Sequence, residues 1–376
     1  MNESDPFDDG GPLGGSVPQN ASPFDASRPL EGTRVLDLGG IGPGPFATMV
    51  LADLGAEVIR LDPPSLQDEL RNPVLDRGKK SVIADLKAEP GFERARTIAA
   101  RSDILVEGFR PGTTERLGLG PADLHEINPA LVYGRITGYG QTGPKAQKAG
   151  HDLGYIASTG LLHQLGRAED PPQFPANLIA DFGGGGMLLV VGVLAALPRA
   201  RATGIGTVVD AAMIDGANLL WSMMHGFSAM GLWHHDARGH NLLDSGAPFY
   251  DVYPTVDGRY VSVACIEPAF FAEFVRALDL EDQLPEPLGE LDHWQPRHWP
   301  ALRAAFASAL ASRTLDDLVA LFADRDACVE PVLTMAEAKQ DRHNVARGLF
   351  STDGAGVDQP APAPRFSPAA IRREDG

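Results

Sequence analysis

Short apolar runs alternate with longer amphipathic stretches across the first half of the chain. Val35-Leu36-Asp37-Leu38 reads as a buried parallel strand. Phe46 to Leu54 reads as a helix ended by Gly55, and Glu57 to Asp62 as the next strand, stopped by Pro63-Pro64. The pattern continues with a strand at Ser81 to Leu86, a helix near Gly91 to Arg101, and strands at Ile104 to Glu107 and Leu131 to Ile136. Such alternation predicts an α/β fold, a Rossmann-like parallel sheet covered by helices on both faces. Beyond Gly183-Gly184-Gly185-Gly186 it predicts a helix over about 187–199, a strand at Thr207 to Asp210 and a long apolar helix from Ala211 to about Leu232. Near 247 the character changes. Tyr250 to Val263 reads as a hairpin, followed by amphipathic helices at about 268–279, 299–312 and 314–325, which together predict a smaller α+β domain. Residues 1–28, rich in Gly, Pro, Ser, Asp and Asn, read as a disordered tail. The Pro-rich stretch from Gln359 to Pro368 packs back or frays.

A length of 376 residues suits two domains, or one domain with a substantial insert. Asp and Glu number 50 against 32 Lys and Arg, a net charge of −18, which argues against nucleic acid as a partner. An anionic ligand needs a local basic cluster working against that field. The 2 cysteines, Cys265 and Cys328, form neither a metal spacing nor a disulfide framework, and a reducing, cytoplasmic location fits. The apolar run Met187 to Leu197 is too short to span a bilayer, and no secretion signal or membrane insertion is expected.

The candidate chemistry centres on Gly150-His151-Asp152-Leu153-Gly154-Tyr155 and on Asn177 to Phe182. Each puts a titratable group, His151 or Asp181, where a helix could start. Two bases of different type facing one carbon suit a proton shuttle; an ordinary histidine and an ordinary helix cap read equally well. Gly39 to Pro45, with Asp62 closing the next strand, resembles a dinucleotide site. Pro43 and Pro45 argue against it, because they remove N–H groups that would hold a pyrophosphate. Arg77, Lys79, Lys80, Lys87, Arg110 and Arg116 form a basic cluster near strand ends, suited to a phosphorylated ligand or to a solvated face. Met213, Met223, Met224 and Met230, with Trp221 and Trp233, read more readily as core or dimer contact than as a binding surface. Cys265 reads as packing.

The ordered strings GIGPGP, VLADLGAEVIRLD, RGKKSV, ADLK, RPGTTERLGLGP, GYGQTGP, AGHDLGY, NLIADFGGG, VVDAAMIDG, GAPFYDVY, CIEP and DACVEPVL resemble the family III coenzyme A transferase superfamily, in its α-methylacyl-CoA racemase branch. The resemblance runs from about Leu30 to Pro368. It implies a large Rossmann-like CoA-binding domain over 29–211, completed by about 352–376, a linker helix region over 212–247, a small α+β domain over 248–335 and a return linker over 336–351. It implies an interlocked homodimer with each active site between the large domain of one chain and the small domain of the other. His151 and Asp181 would be the two bases inverting the α-carbon of an acyl-CoA, and Glu267 would pair with His151. Ala84, Asp85, Leu86, Lys87, Gly108, Phe109, Arg110 and Arg116 would bind the CoA portion, and Gly150, Asp152, Leu153, Gly154, Tyr155 and Asn177 would also bind the substrate. No metal or cofactor is implied, since coenzyme A enters as part of the substrate. The chain departs from the family pattern at Asp62-Pro63-Pro64, where the racemases carry an arginine for the CoA phosphates, and at Gly204-Ile205-Gly206-Thr207. Two other functions compete: a family III CoA-transferase with Asp181 as nucleophile, and a non-catalytic CoA-binding scaffold. Branched fatty, bile-acid-type and dicarboxylic acyl groups all remain open.

Overall fold

The computed structural model describes residues 28–65 and 71–367. The tail expected to be disordered lies outside the described residues apart from Arg28. Six strands, β1 (Arg34–Asp37), β2 (Glu57–Asp62), β3 (Lys79–Ile83), β4 (Ile104–Glu107), β5 (Val132–Thr137) and β6 (Thr207–Ala212), form one sheet in the order β3-β2-β1-β4-β5-β6. Every neighbouring pair is parallel. All of β4 and β5 is buried, which explains their apolar runs, since a parallel sheet is covered on both faces. Leu36, Leu105 and Tyr133 pack with Ile98 and Leu124 on one side. Between β1 and β4 the strand order reverses, and the loops leaving the two strands part to open a crevice at their carboxyl ends.

Three elements differ from the sequence reading. β3 begins and ends earlier than expected, because its ladder with β2 pairs Val58 with Lys79 and Asp62 with Ile83. The glycine run does not precede a helix but lies inside one. A 26-residue helix runs from Leu178 to Thr203, its first part, Leu178–Met187, wound in wide π-type turns. By length and composition it is apolar enough to cross a membrane, contrary to the reading of the shorter run; here it packs on β5, β6 and the helix Pro43–Asp53. The glycines permit a close crossing. A Cβ on Gly184 would lie 2.5 Å from the nitrogen of Ala217, and one on Gly216 would strike the main chain of Gly184. Thirdly, the expected helix from Ala211 to Leu232 is not one helix. Ala211 and Ala212 extend β6 by pairing with Ile136 and Thr137, and Trp221 (φ −87°, ψ 8°) separates helices Met213–Leu220 and Ser222–Ala229.

The chain divides into two compact units, the first holding the described residues up to Thr159, Ala176–Leu220 and those from Gly348 on, the second Gly160–Pro175 and Trp221–Arg347. In the first unit β10 (Phe350–Thr352) and β11 (Asp358–Pro360) form a hairpin, and Arg77 donates to the carbonyl of Pro360 at 2.7 Å. In the second, β7 (Asp251–Pro254), β8 (Tyr260–Val263) and β9 (Val329–Pro331) form an antiparallel sheet over a core that includes Phe249, Phe271, Phe274 and Phe306. Gly160–Pro175, read from sequence as part of the large domain, groups with the second unit. Trp233 donates to Gln164 at 3.1 Å, and Arg167 holds Asp251 at 2.7 Å.

Candidate active site

A cavity of about 580 Å³ opens at the carboxyl ends of β1, β4 and β5. Its walls come from three turns that follow these strands: Gly39–Pro45, Gly108–Pro111 and the stretch from Ile136 to His151. His151, Tyr155, Asn177 and Asp181 all line it. The first wall is set by the strand-to-helix turn. Gly39 has φ +82°, and a Cβ there would press on the carbonyl oxygen of Leu61 at 2.8 Å, so only glycine lets the turn cross β2. Buried Asp37 fixes the same turn by accepting from the N–H of Gly39 at 2.9 Å and from the hydroxyl of Thr48 at 2.6 Å. Lys79 completes it, donating to Asp37 at 3.2 Å and to the carbonyl of Pro45 at 2.8 Å. The second wall is braced by Glu107, which accepts from the N–H of Phe109 at 2.7 Å and from Arg135 at 2.8 Å. Arg135 also reaches Glu115 at 2.8 Å, which ties down the loop bearing Arg110.

His151 is the exposed residue just before the helix Asp152–Ser158, its carbonyl accepting from Gly154 and Tyr155. Tyr155 lies against Gly138 and Gly150. A Cβ on Gly150 would sit 2.6 Å from its ring, so both glycines make room for it, and Tyr139 meets it edge to face at 5.0 Å. Asp181 stands in the first turn of its helix and accepts from the amide of Asn177 at 3.0 Å. Partial burial pushes its carboxyl above the usual aspartate range; Asn177 pulls it back, the charge of Asp152 adds to the rise, and His151 opposes it. Burial, then the charge of Asp181, pushes the Tyr155 hydroxyl up to about 12. A half-buried carboxyl raised above its ordinary range, sharing a cavity with an imidazole, can take a proton or give one.

The structure sorts the residues expected from sequence. Arg110, Gly108, Phe109, Gly150, Tyr155 and Asn177 line the cavity with His151 and Asp181. Ala84 to Lys87 follow β3, two strands away from β1, and Arg116 stands on the short helix Thr113–Arg116; neither group lines the cavity. Exposed Leu153, with Gly154, is also off the wall. The side chain of Asp152 is buried and does not face the cavity. The basic cluster is split. Arg77 is tied to Asp53 at 2.5 Å, Lys79 to Asp37, and Lys80 to Glu57 at 2.9 Å, so these three brace the amino end of β3 rather than receive a ligand. Where Pro63 follows β2, the neighbouring cations are Arg60 and Arg71, 2.8 and 2.9 Å from Asp62. Glu267 belongs to the second unit, exposed just before the helix Pro268–Ala277. Sequence reading missed Lys148 and took Met213 for core or dimer contact; both line the cavity. The signal for Lys148 was its place three residues before His151. Among the described residues no cluster of three or more His, Cys, Asp or Glu could hold a metal ion.

Comparison with known proteins gives a consistent result. The family model described as CoA-transferase family III matches residues 30–375. The chain is 43% identical to an alpha-methylacyl-CoA racemase of Mus musculus over 90% of this chain and 86% of that protein. It is 41% identical to the alpha-methylacyl-CoA racemase of Homo sapiens over 89% and 86%. A CaiB/BaiF family protein from Brucella suis has a similar structure, with a TM-score of 0.77 and 27% identity over 91% of this chain and 94% of that one.

Proposed function

The chain belongs to CoA-transferase family III, and from that premise we propose that it is a racemase that inverts the α-carbon of 2-methylacyl-CoA thioesters by two-base proton transfer. One observation carries the reading: His151 and Asp181 line one cavity at the switch point of a parallel sheet. Inversion needs a base on each face of the α-carbon, because a single group returns the proton to the face it came from. His151 removes the proton in one direction while Asp181, held above the usual carboxylate range, delivers one from the other side; the roles exchange in reverse. The enolate formed between these steps needs hydrogen-bond donors. The N–H of Asp152, at a helix start, is of the kind left without an intrahelical acceptor and suits that task. Arg110 and Lys148, on the cavity wall, supply positive charge for the phosphates of the CoA portion. In an interlocked homodimer, Glu267 of the partner subunit would orient His151 and stabilise its charged form.

The test is to incubate one enantiomer of a 2-methylacyl-CoA in D2O, with and without an acceptor carboxylic acid. Deuterium uptake at the α-carbon together with inversion, independent of the acceptor, is expected. His151→Ala and Asp181→Ala should each lose inversion while remaining folded. Transfer of CoA to the acceptor without α-deuteration would establish the transferase chemistry instead, and variants that epimerise normally would refute the assignment of the bases.

A further inference from the structure

We propose that Asp152 is a positioning residue for both bases: its carboxylate joins the turn that carries His151 to the turn that carries Asp181 and so fixes their separation. The proposal rests on the reading of these two residues as a proton-transfer pair. Asp152 follows His151 directly in the chain and is 2% exposed. Its Oδ2 accepts the N–H of Ala180 at 2.6 Å and the N–H of Asp181 at 2.9 Å. Both donors lie in the first turn of the helix starting at Leu178, where main-chain N–H groups have no acceptor within the helix. Hydrogen bonds from N–H groups to an ionised carboxylate are short and strong, so this one side chain caps a helix 28 residues away in sequence. Any movement of Asp152 shifts the main chain of Asp181 against that of His151.

The second oxygen, Oδ1, is buried with no hydrogen-bond partner among the described residues. The charge on Asp152 is therefore only partly compensated, and it acts on a carboxyl that is its neighbour through the peptide bonds it caps. The groups that act on Asp181 are Asp152, His151, Asn177 and Tyr155. Of these, Asp152 is the anion, and its charge favours the protonated form of Asp181. The side chain itself stands off the cavity wall, so it acts through the two bases and not on the substrate.

Asp152→Asn and Asp152→Ala separate the roles. Asparagine keeps an oxygen facing the two N–H groups and loses the charge; alanine loses both. With a 2-methylacyl-CoA in D2O, inversion and α-deuterium uptake are measured separately for wild type and both variants, across pH. In Asp152→Asn we expect a folded chain, KM within about twofold, and inversion slowed about tenfold, equivalent to about 1.4 kcal/mol of barrier. Deuterium uptake should fall less than inversion, because one base still works while the other is displaced. The limb of the rate profile belonging to Asp181 should move to lower pH. Alanine should deepen the same pattern; if that variant does not fold, the asparagine variant decides the question. An Asp152→Asn protein with wild-type pH profile and wild-type ratio of uptake to inversion, only less stable, overturns the proposal and leaves Asp152 a structural cap. A wild-type chain that neither inverts nor exchanges refutes the racemase reading itself, and this role with it.

Discussion

Replacing Gly184 by alanine tests whether the glycine run exists to let two helices touch. A Cβ at this position would stand 2.5 Å from the nitrogen of Ala217 and 2.7 Å from the carbonyl carbon of Gly216. Both are main-chain atoms of the facing helix, so no side chain can swing aside. Ordinary contact lies near 3.5–4.0 Å, which leaves the methyl roughly 1 Å short, and the helices must part or unwind locally. Overpacking of a close-packed interior costs about 1–3 kcal/mol, and a rigid backbone obstacle puts this case toward the upper end. At roughly 2–4 °C per kcal/mol, the midpoint should fall by roughly 6–12 °C. Asp181 sits on the same helix one turn earlier, so parting the helices also displaces the proposed base, and the inversion rate should fall with the stability. Gly226→Ala is the control. Its Cβ would meet nothing within 4 Å and lies inside the helix Ser222–Ala229, so it should gain about 0.5–1 kcal/mol of helix propensity. Thermal melts followed by circular dichroism, with racemisation rates on the same samples, give both readouts. A Gly184→Ala protein that melts with wild type and turns over at the wild-type rate would refute the packing argument.

Three further outcomes are expected. Asp181→Asn should abolish inversion yet raise Tm at pH 7: burial lifts the folded-state pKa of this carboxyl, so the folded chain binds the proton more tightly and ionisation above the ordinary value of 3.8 costs stability that asparagine never incurs. The two melting curves should converge below that pH, and a Tm at pH 7 equal to or below wild type would contradict the argument. Lys79→Met should cost about 3–5 kcal/mol in urea denaturation by stranding the buried Asp37, and the double variant Lys79→Met/Asp37→Asn should recover part of it; no recovery would mean the pair is not the source of the loss. Arg110→Ala should raise KM for an acyl-CoA about tenfold with kcat little changed, and should leave KM for a pantetheine-truncated substrate alone, since the guanidinium holds a remote part of the ligand; equal effects on both substrates would remove it from the phosphate site.

What the sequence showed and what it hid follow one physical rule. The strands of the large sheet were legible because a parallel sheet buried on both faces leaves apolar runs, as in Ile104 to Val106 and Leu131 to Tyr133. The helix starts near His151 and Asp181 were legible from the glycines and polar residues beside them, although the cap that the second receives from Asp152 was not. Errors arose wherever a distant partner decided the outcome. Ala211 and Ala212 are good helix formers, yet hydrogen bonds to β5 draw them into a strand. The helix was read to begin only after the four consecutive glycines, yet they lie within it, where Gly184 meets the main chain of Gly216 and Ala217 and Gly186 meets Phe46 and the carbonyl of Pro43. Arg77, Lys79 and Lys80 read as a phosphate site because their acids, Asp53, Asp37 and Glu57, lie 23 to 42 residues back along the chain. Asp152 is the sharpest case, since its neighbour His151 lines the cavity while its own carboxylate turns inward to cap the helix of Asp181. Motif strings therefore place main-chain turns well and side-chain tasks poorly. Where two turns carry the proposed bases, the side chain that couples them can follow one of them directly in sequence and still stand off the cavity wall.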